Sequence, residues 1–199
     1  MPPGAPASEH ELIARARAGD EEAFAELVRA HADRVYRALR HFGLGPVEAQ
    51  EVAQEVFLRA WRGLGRFQER AQLSTWLYRI AFNEAQRRLT RRALPRAEPA
   101  DGEDALASVA DAAERGPEAR ALEREFETVL EDALDELPEQ WRSAVVLRDV
   151  EGLSTAQAAE VLGIAQAAFK SRLHRGRMRL RTLLEPYLGP EEGRAGGGR

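Results

Sequence analysis

Gly152-Leu-Ser-Thr-Ala-Gln-Ala-Ala-Glu-Val-Leu-Gly-Ile164, followed a few residues later by Lys170-Ser-Arg-Leu-His-Arg-Gly-Arg177, decides the fold. Ser154-Thr155-Ala156-Gln157 has the spacing of a capping box, in which each end of the motif satisfies a backbone amide of the first turn. The short helix it opens ends at Leu162-Gly163, and Gly163-Ile164-Ala165 makes a tight turn. A second helix runs from about Gln166 to Leu184. At roughly 100° per residue, Phe169, Leu173, Gly176 and Leu180 fall on one inward stripe. Lys170, Ser171, His174, Arg175, Arg177 and Arg181 spread over the opposite side. Two helices about such a turn form a helix-turn-helix, whose second helix is shaped to enter the major groove of DNA.

Toward the N-terminus the same signals recur. Ser8-Glu9-His10-Glu11 is another capping box, opening a short helix that stops at Gly19. Asp20 caps a second helix with Phe24, Leu27, Val28, His31, Val35 and Leu39 on one face, ended by Gly43. Pro46 sits in the first turn of a third, where its missing amide costs nothing. Val52, Val56, Phe57, Ala60, Trp61 and Leu64 form its stripe before Gly65. After a loop from Arg66 to Leu73, Ser74 is placed to cap a fourth helix, with Trp76, Leu77, Ile80 and Ala81 apolar and Arg79, Arg87, Arg88, Arg91 and Arg92 left outward. Pro117 restarts a helix with Leu122, Phe126, Val129, Ala133 and Leu137 in register. Pro138 interrupts it, and Trp141, Ala144, Val145 and Leu147 continue to a stop at Gly152.

The expected fold is therefore all-α: two small helical domains joined by a flexible acidic linker. The four-helix domain spans 8–92 and the helix-turn-helix domain 117–188. Between them, 93–116 carries Pro95, Pro99, Gly102, Gly116 and many acids with almost no large apolar residue, so it cannot bury enough surface to fold alone. A disordered tail is expected over 189–199.

The chain has no cysteine, which excludes disulfide frameworks and thiolate metal sites. No apolar run approaches the ~20 residues that cross a bilayer, and Met1-Pro-Pro-Gly-Ala-Pro lacks the regions of a signal peptide. A cytoplasmic location is expected. The formal net charge of −4 hides strong segregation. Six Arg stand against one acid from Ser74 to Ala97, fifteen acids against three Arg from Glu98 to Gln140, and six cations against none from Ala165 to Thr182. A solvated surface helix mixes signs, since like charges one turn apart destabilise it. An all-cationic face instead suits phosphates, and guanine offers two acceptors to an Arg fork. His174 joins this set through its place on the Lys170 side. The basic blocks invite masking by the acidic one in the free protein, with weak binding to free DNA.

These residues resemble the fourth conserved region of the extracytoplasmic-function (ECF) sigma factors of the sigma-70 family. Glu51-Val-Ala-Gln-Glu-Val-Phe-Leu-Arg-Ala-Trp61 resembles the second-region helix that grips the clamp helices of the largest polymerase subunit. Arg66-Phe67 through Ser74-Thr-Trp-Leu-Tyr-Arg-Ile-Ala81 resembles the segment that captures the minus-ten element. The resemblance implies that Glu51, Gln54 and Glu55 face core RNA polymerase. It implies that Phe67, Ser74, Thr75, Trp76, Arg79, Asn83 and Arg87 meet the nontemplate strand at the minus-ten element of promoter DNA. Lys170, Ser171, Arg172, His174, Arg175 and Arg177 would meet the minus-thirty-five element. Unpaired bases expose faces on which aromatic rings can stack while Arg side chains track phosphates. Phe67 is equally suited to stacking or to the core, whereas Trp76 lies in the apolar stripe. The chain departs from the family's common pattern at Ala167-Ala168-Phe169, where Gly-Thr-Val is usual, at Phe82, where Arg is frequent, and at Arg87, where Asp is frequent.

No metal cluster, phosphate-cradling glycine loop or paired nucleophile and base is present at motif spacing, so neither an enzyme activity nor a cofactor is expected. An anti-sigma factor is a further partner that the resemblance implies. The competing reading is a stand-alone helix-turn-helix regulator of duplex operators, which needs a sensing pocket in the first domain. Drawn out, 93–116 reaches ~80 Å against ~27 Å as a coil. Promoter elements two duplex turns apart lie ~70 Å from each other, so the linker is extended when both domains are engaged.

Overall fold

The computed structural model describes residues 7–67, 72–93, 126 and 128–187. Almost all of the expected linker and all of the expected tail lie outside them. Among the described residues the chain is helical, with no strand. Helices α1 (Glu9–Arg17), α2 (Glu21–His41), α3 (Pro46–Gly63) and α4 (Leu73–Ala93) form the first unit. The second comprises helical residues 128–135 and α5 (Glu139–Val145), which runs into a π turn over Val146–Val150, then α6 (Thr155–Leu162) and α7 (Gln166–Leu184).

Local chemistry sets the helix starts. Ser8 Oγ accepts from the Glu11 amide at 3.3 Å while Glu11 accepts from the Ser8 amide at 2.8 Å, and Ser154 with Gln157 repeats the exchange. Asp20 accepts from the Ala23 amide at 3.0 Å. At α4 the structure corrects the expected cap. The helix begins at Leu73, so Ser74 lies inside it, and the Gln72 carbonyl accepts the first bond, from Trp76. Burying a leucine stabilises by about 1.5–3 kcal/mol, more than the ~1 kcal/mol of a serine cap. Leu73 is 3% exposed, and its burial pulls the start back by two residues, from 75 to 73.

The first unit closes over Leu27, Val35, Leu39, Val52, Val56, Leu77 and Tyr78. In the second, α5 and α7 come unusually close. A Cβ at Gly176 would lie 2.7 Å from Val145 Cγ2 and 3.1 Å from the Trp141 carbonyl oxygen. Gly163, at φ 64°, provides the left-handed C-cap that turns the chain from α6 into α7.

The two units touch. The side of α4 bearing Tyr78 packs against α6 and the turn before it, and the buried Tyr78 hydroxyl donates to the buried Glu151 carboxylate. Arg34 of α2 stands 3.9 Å from the same carboxylate. Burial pushes the Glu151 carboxyl above its ordinary value, against the opposing pull of the Tyr78 hydroxyl, Arg34 and Arg37. Burial and then the Glu151 contact raise the Tyr78 hydroxyl in turn.

Two outcomes are expected. Gly176→Ala forces α5 and α7 apart and should destabilise the chain by about 1–3 kcal/mol in urea unfolding, whereas an unchanged midpoint would contradict the close packing. Because the folded carboxyl of Glu151 is raised, its contribution is complete below the ordinary value of 4.5 and is lost as pH rises through the raised one. The melting temperature of the native chain relative to Glu151→Gln should therefore fall between mildly acid and neutral pH. A pH-independent difference would place Glu151 in solvent.

Candidate nucleic-acid interface

On α7 the apolar stripe is inward as its spacing requires, with Phe169, Leu173 and Gly176 buried and Leu180 half-buried. That orientation turns Lys170, Ser171, His174 and Arg175 outward. All four are exposed, and none has a hydrogen-bond or ion-pair partner among the described residues. Arg172 is half-buried at the margin. Arg177 is placed differently from the expectation. Its Nε and one terminal nitrogen donate to the two Asp149 oxygens at 2.9 and 2.6 Å, and this contact raises its pKa further. Both planar groups use their full fork, so Arg177 braces α7 against the π turn. Spacing alone could not reveal this, because Asp149 lies on another element. The composition-based reading also missed Met178, 52% exposed in the middle of the same face.

On α4 the expected residues divide. Arg79, Asn83 and Arg87 are exposed, Ser74 and Trp76 half-buried, and Thr75 buried. Thr75 Oγ has no hydrogen-bond partner. Phe67, read as equally able to stack or to pack, packs: it is 6% exposed. Its ring lies 5.0 Å from that of Trp76 and 5.7 Å from the Arg17 guanidinium, which also donates to the Leu64 and Phe67 carbonyls. Arg17 thus clamps the turn leading toward α4, a role its solvent-facing helical position did not disclose.

Arg79, Arg87, Arg88 and Arg92 of α4 lie within ion-pair distance of acids. Glu84, buried, binds Arg59 of α3 at 3.1 Å and Arg87 at 2.7 Å. Arg88 pairs with Glu48 at 3.6 Å and with Glu51. Exposed ion pairs contribute little, at most about 1 kcal/mol, whereas a buried carboxylate stripped of its guanidinium partners costs several. Glu84 is therefore structural, and the remaining pairs can exchange partners.

The α3 side that faces away from the core presents Glu51, Gln54 and Glu55, all exposed. Val47 and Leu58 flank them at 61% and 54% exposure. At helical spacing these five make one acidic and apolar stripe, a surface suited to a protein rather than to a polyanion.

Among the described residues no group of His, Cys, Asp and Glu is arranged to hold a metal ion, and no helix is long and apolar enough to cross a membrane.

Comparison with known proteins agrees with this layout in both units. The sigma-70 region 2 family matches residues 27–94 and the sigma-70 region 4 family residues 128–180. RNA polymerase sigma-H factor of Pseudomonas aeruginosa is 35% identical over 184 residues, covering 90% of this chain and 95% of that protein. The ECF RNA polymerase sigma factor SigM of Mycobacterium tuberculosis is 38% identical over 177 residues, 89% of this chain and 85% of that one. Among solved structures, CnrH in complex with the cytosolic domain of CnrY superposes with a TM-score of 0.62 at 29% identity, covering 88% of this chain and 96% of that one. Region 2 occupies the unit in which a stand-alone regulator would need its sensing domain. The chain belongs to the extracytoplasmic-function sigma factors of the sigma-70 family, which direct RNA polymerase to promoters.

Proposed function

We propose that this chain divides the work of a sigma factor among three surfaces. The α3 stripe of Glu51, Gln54 and Glu55, with Leu58 beside them, docks on the clamp helices of the largest subunit of core RNA polymerase. Arg79, Asn83 and Arg87 of α4, with Ser74, Thr75 and Trp76, hold the nontemplate strand at the minus-ten element. Phe67 supports that surface from beneath, through Trp76. Lys170, Ser171, Arg172, His174 and Arg175 read the minus-thirty-five duplex, while Arg177 orients the helix that carries them. The functional units are 8–92 and 117–188, with 93–116 as tether and 189–199 as tail. The protein acts in the cytoplasm, has no turnover of its own, and is held in check by an anti-sigma factor.

The observation that carries this reading is the open face of α7. Four polar side chains point outward with no protein partner among the described residues. On a helix that costs folding energy through like-charge repulsion, such a face is explained by an anionic ligand.

Run-off transcription with purified core polymerase, with and without this chain, on a promoter library is the direct assay. Initiation above the core-only level on a subset of promoters is expected, and core-level activity on all of them would refute the assignment. Within that assay Arg175→Ala should cost roughly 1–3 kcal/mol on the preferred site and relax discrimination there. An equal loss on every sequence would make it a phosphate contact. Removing half of 93–116 should abolish initiation from promoters with both elements at their usual spacing, because the remaining segment cannot span ~70 Å. Undiminished initiation would show that the tether is not drawn out.

A further inference from the structure

Arg17 is the last residue of α1, outside the residues matched to region 2, yet it reaches the turn that leads toward α4. Its Nε donates to the Leu64 carbonyl at 3.3 Å, a terminal nitrogen donates to the Phe67 carbonyl, and its guanidinium carbon stands 5.7 Å from the centre of the Phe67 ring. The Leu64 carbonyl also accepts from the Phe67 amide at 3.1 Å, so one guanidinium closes over both ends of the same turn. Beyond Phe67 the contacts continue into α4. The Phe67 and Trp76 ring centres lie 5.0 Å apart, and Trp76 also meets Gly63 so closely that a Cβ there would lie 3.2 Å from the indole. We propose that Arg17 is a positioning residue for the minus-ten strand: through Phe67 it fixes the Trp76 ring as a platform on which one unpaired base stacks. This inference rests on the assignment of α4 to that strand made above.

The chemistry of the clamp points past plain stabilisation of the turn. Its carbonyls need a donor that reaches both of them while lying against a ring, which a planar guanidinium does and an ammonium does not. Phe67 is buried, whereas the Trp76 it touches is only half-buried, so part of the indole stays open. At helical spacing Trp76 heads the same stripe of α4 as Arg79, Asn83 and Arg87, all three exposed. An unpaired strand running along that stripe would bring a base over the indole while the Arg side chains follow its phosphates. Such a contact is only as good as the placement of the ring, and the residues behind the ring set that placement. A loosened Phe67 would leave the phosphate contacts in place and take away the platform.

The test template is a promoter selected in the run-off assay, rebuilt with a single abasic site in its nontemplate strand, one minus-ten position at a time. With polymerase carrying the native chain, one such site should lower run-off by about fivefold or more, the loss of one stacked base. With Arg17→Ala the same site should cost less than about twofold, because the platform is already displaced. An equal factor lost on intact and abasic templates would make Arg17 merely structural and overturn the proposal, as would a native chain insensitive to every abasic site. Arg17→Lys keeps the charge without the fork and should behave like Arg17→Ala, whereas full recovery by lysine would make Arg17 a phosphate contact and overturn the proposal. Arg15→Ala removes the Arg15 to Asp20 pair from the same helix and should keep the native abasic pattern; losing that pattern would reduce the effect to charge and also overturn it. A second arm needs no DNA. In the full chain grown with fluorotryptophan, the Trp76 fluorine signal, assigned by its absence in Trp76→Phe, should shift and broaden in Arg17→Ala while those of Trp61 and Trp141 stay. An unmoved Trp76 signal overturns the proposal. Absence of initiation by the native chain would instead sink the sigma assignment, and the fluorine comparison would still decide whether Arg17 places Trp76.

Discussion

Guanidinium groups on α4 and α7 need an anionic partner, and the way each finds one organises the rest of the molecule. Burying the apolar stripe of an amphipathic helix leaves its cations on the outer side, where they repel one another unless acids or phosphates intervene. On α4 the chain supplies acids: Glu84 beneath Arg59 and Arg87, Glu48 and Glu51 beside Arg88, and Glu160 against Arg79. These contacts are not equivalent. Glu84 is buried and cannot be released without a cost of several kcal/mol, whereas the Arg79 to Glu160 pair is more than half exposed on both sides and is worth at most about 1 kcal/mol. A polyanion would therefore displace the weak pairs and draw Arg87 outward, while Glu84 keeps Arg59, the pair that registers α3 against α4.

On α7 the division is sharper. One arginine, Arg177, is spent on Asp149 and fixes the helix, while Lys170, His174 and Arg175 remain open. The close approach of α5 at Gly176 seats the inner side of that helix, so its outer side is presented in one orientation. Reading base edges by side-chain forks needs this rigidity, since a hydrogen-bonding geometry that wanders selects nothing. In the proposed division of work the acidic and apolar stripe on α3 completes the arrangement as the surface that docks on protein.

Much of this was legible in the residues. Capping boxes at Ser8 and Ser154, the glycine at 163 and the 3.6-residue stripes are local signals, and local signals survive in a linear string. Four things were not legible, each for the same reason. The brace from Arg177 to Asp149, the clamp of Arg17 on the turn at Phe67, the contact of Tyr78 with Glu151, and the start of α4 at Leu73 depend on which elements meet in space. Arg177 looks like its neighbours on a helical wheel. Tyr78 and Glu151 lie 73 residues apart in different units, and neither carries a mark of the other. Phe67 was poised between core and surface because an aromatic at the end of a loop suits both, and only packing against Trp76 and Arg17 decides it.

The account stands on two cationic helices engaging one promoter together while a third surface holds the polymerase. Nuclease footprinting of promoter DNA by core polymerase reconstituted with this chain tests that claim most directly. Two protected patches about two duplex turns apart, lost together when the chain is omitted, are the predicted result. A single patch, or the same pattern from the chain without polymerase, would contradict it.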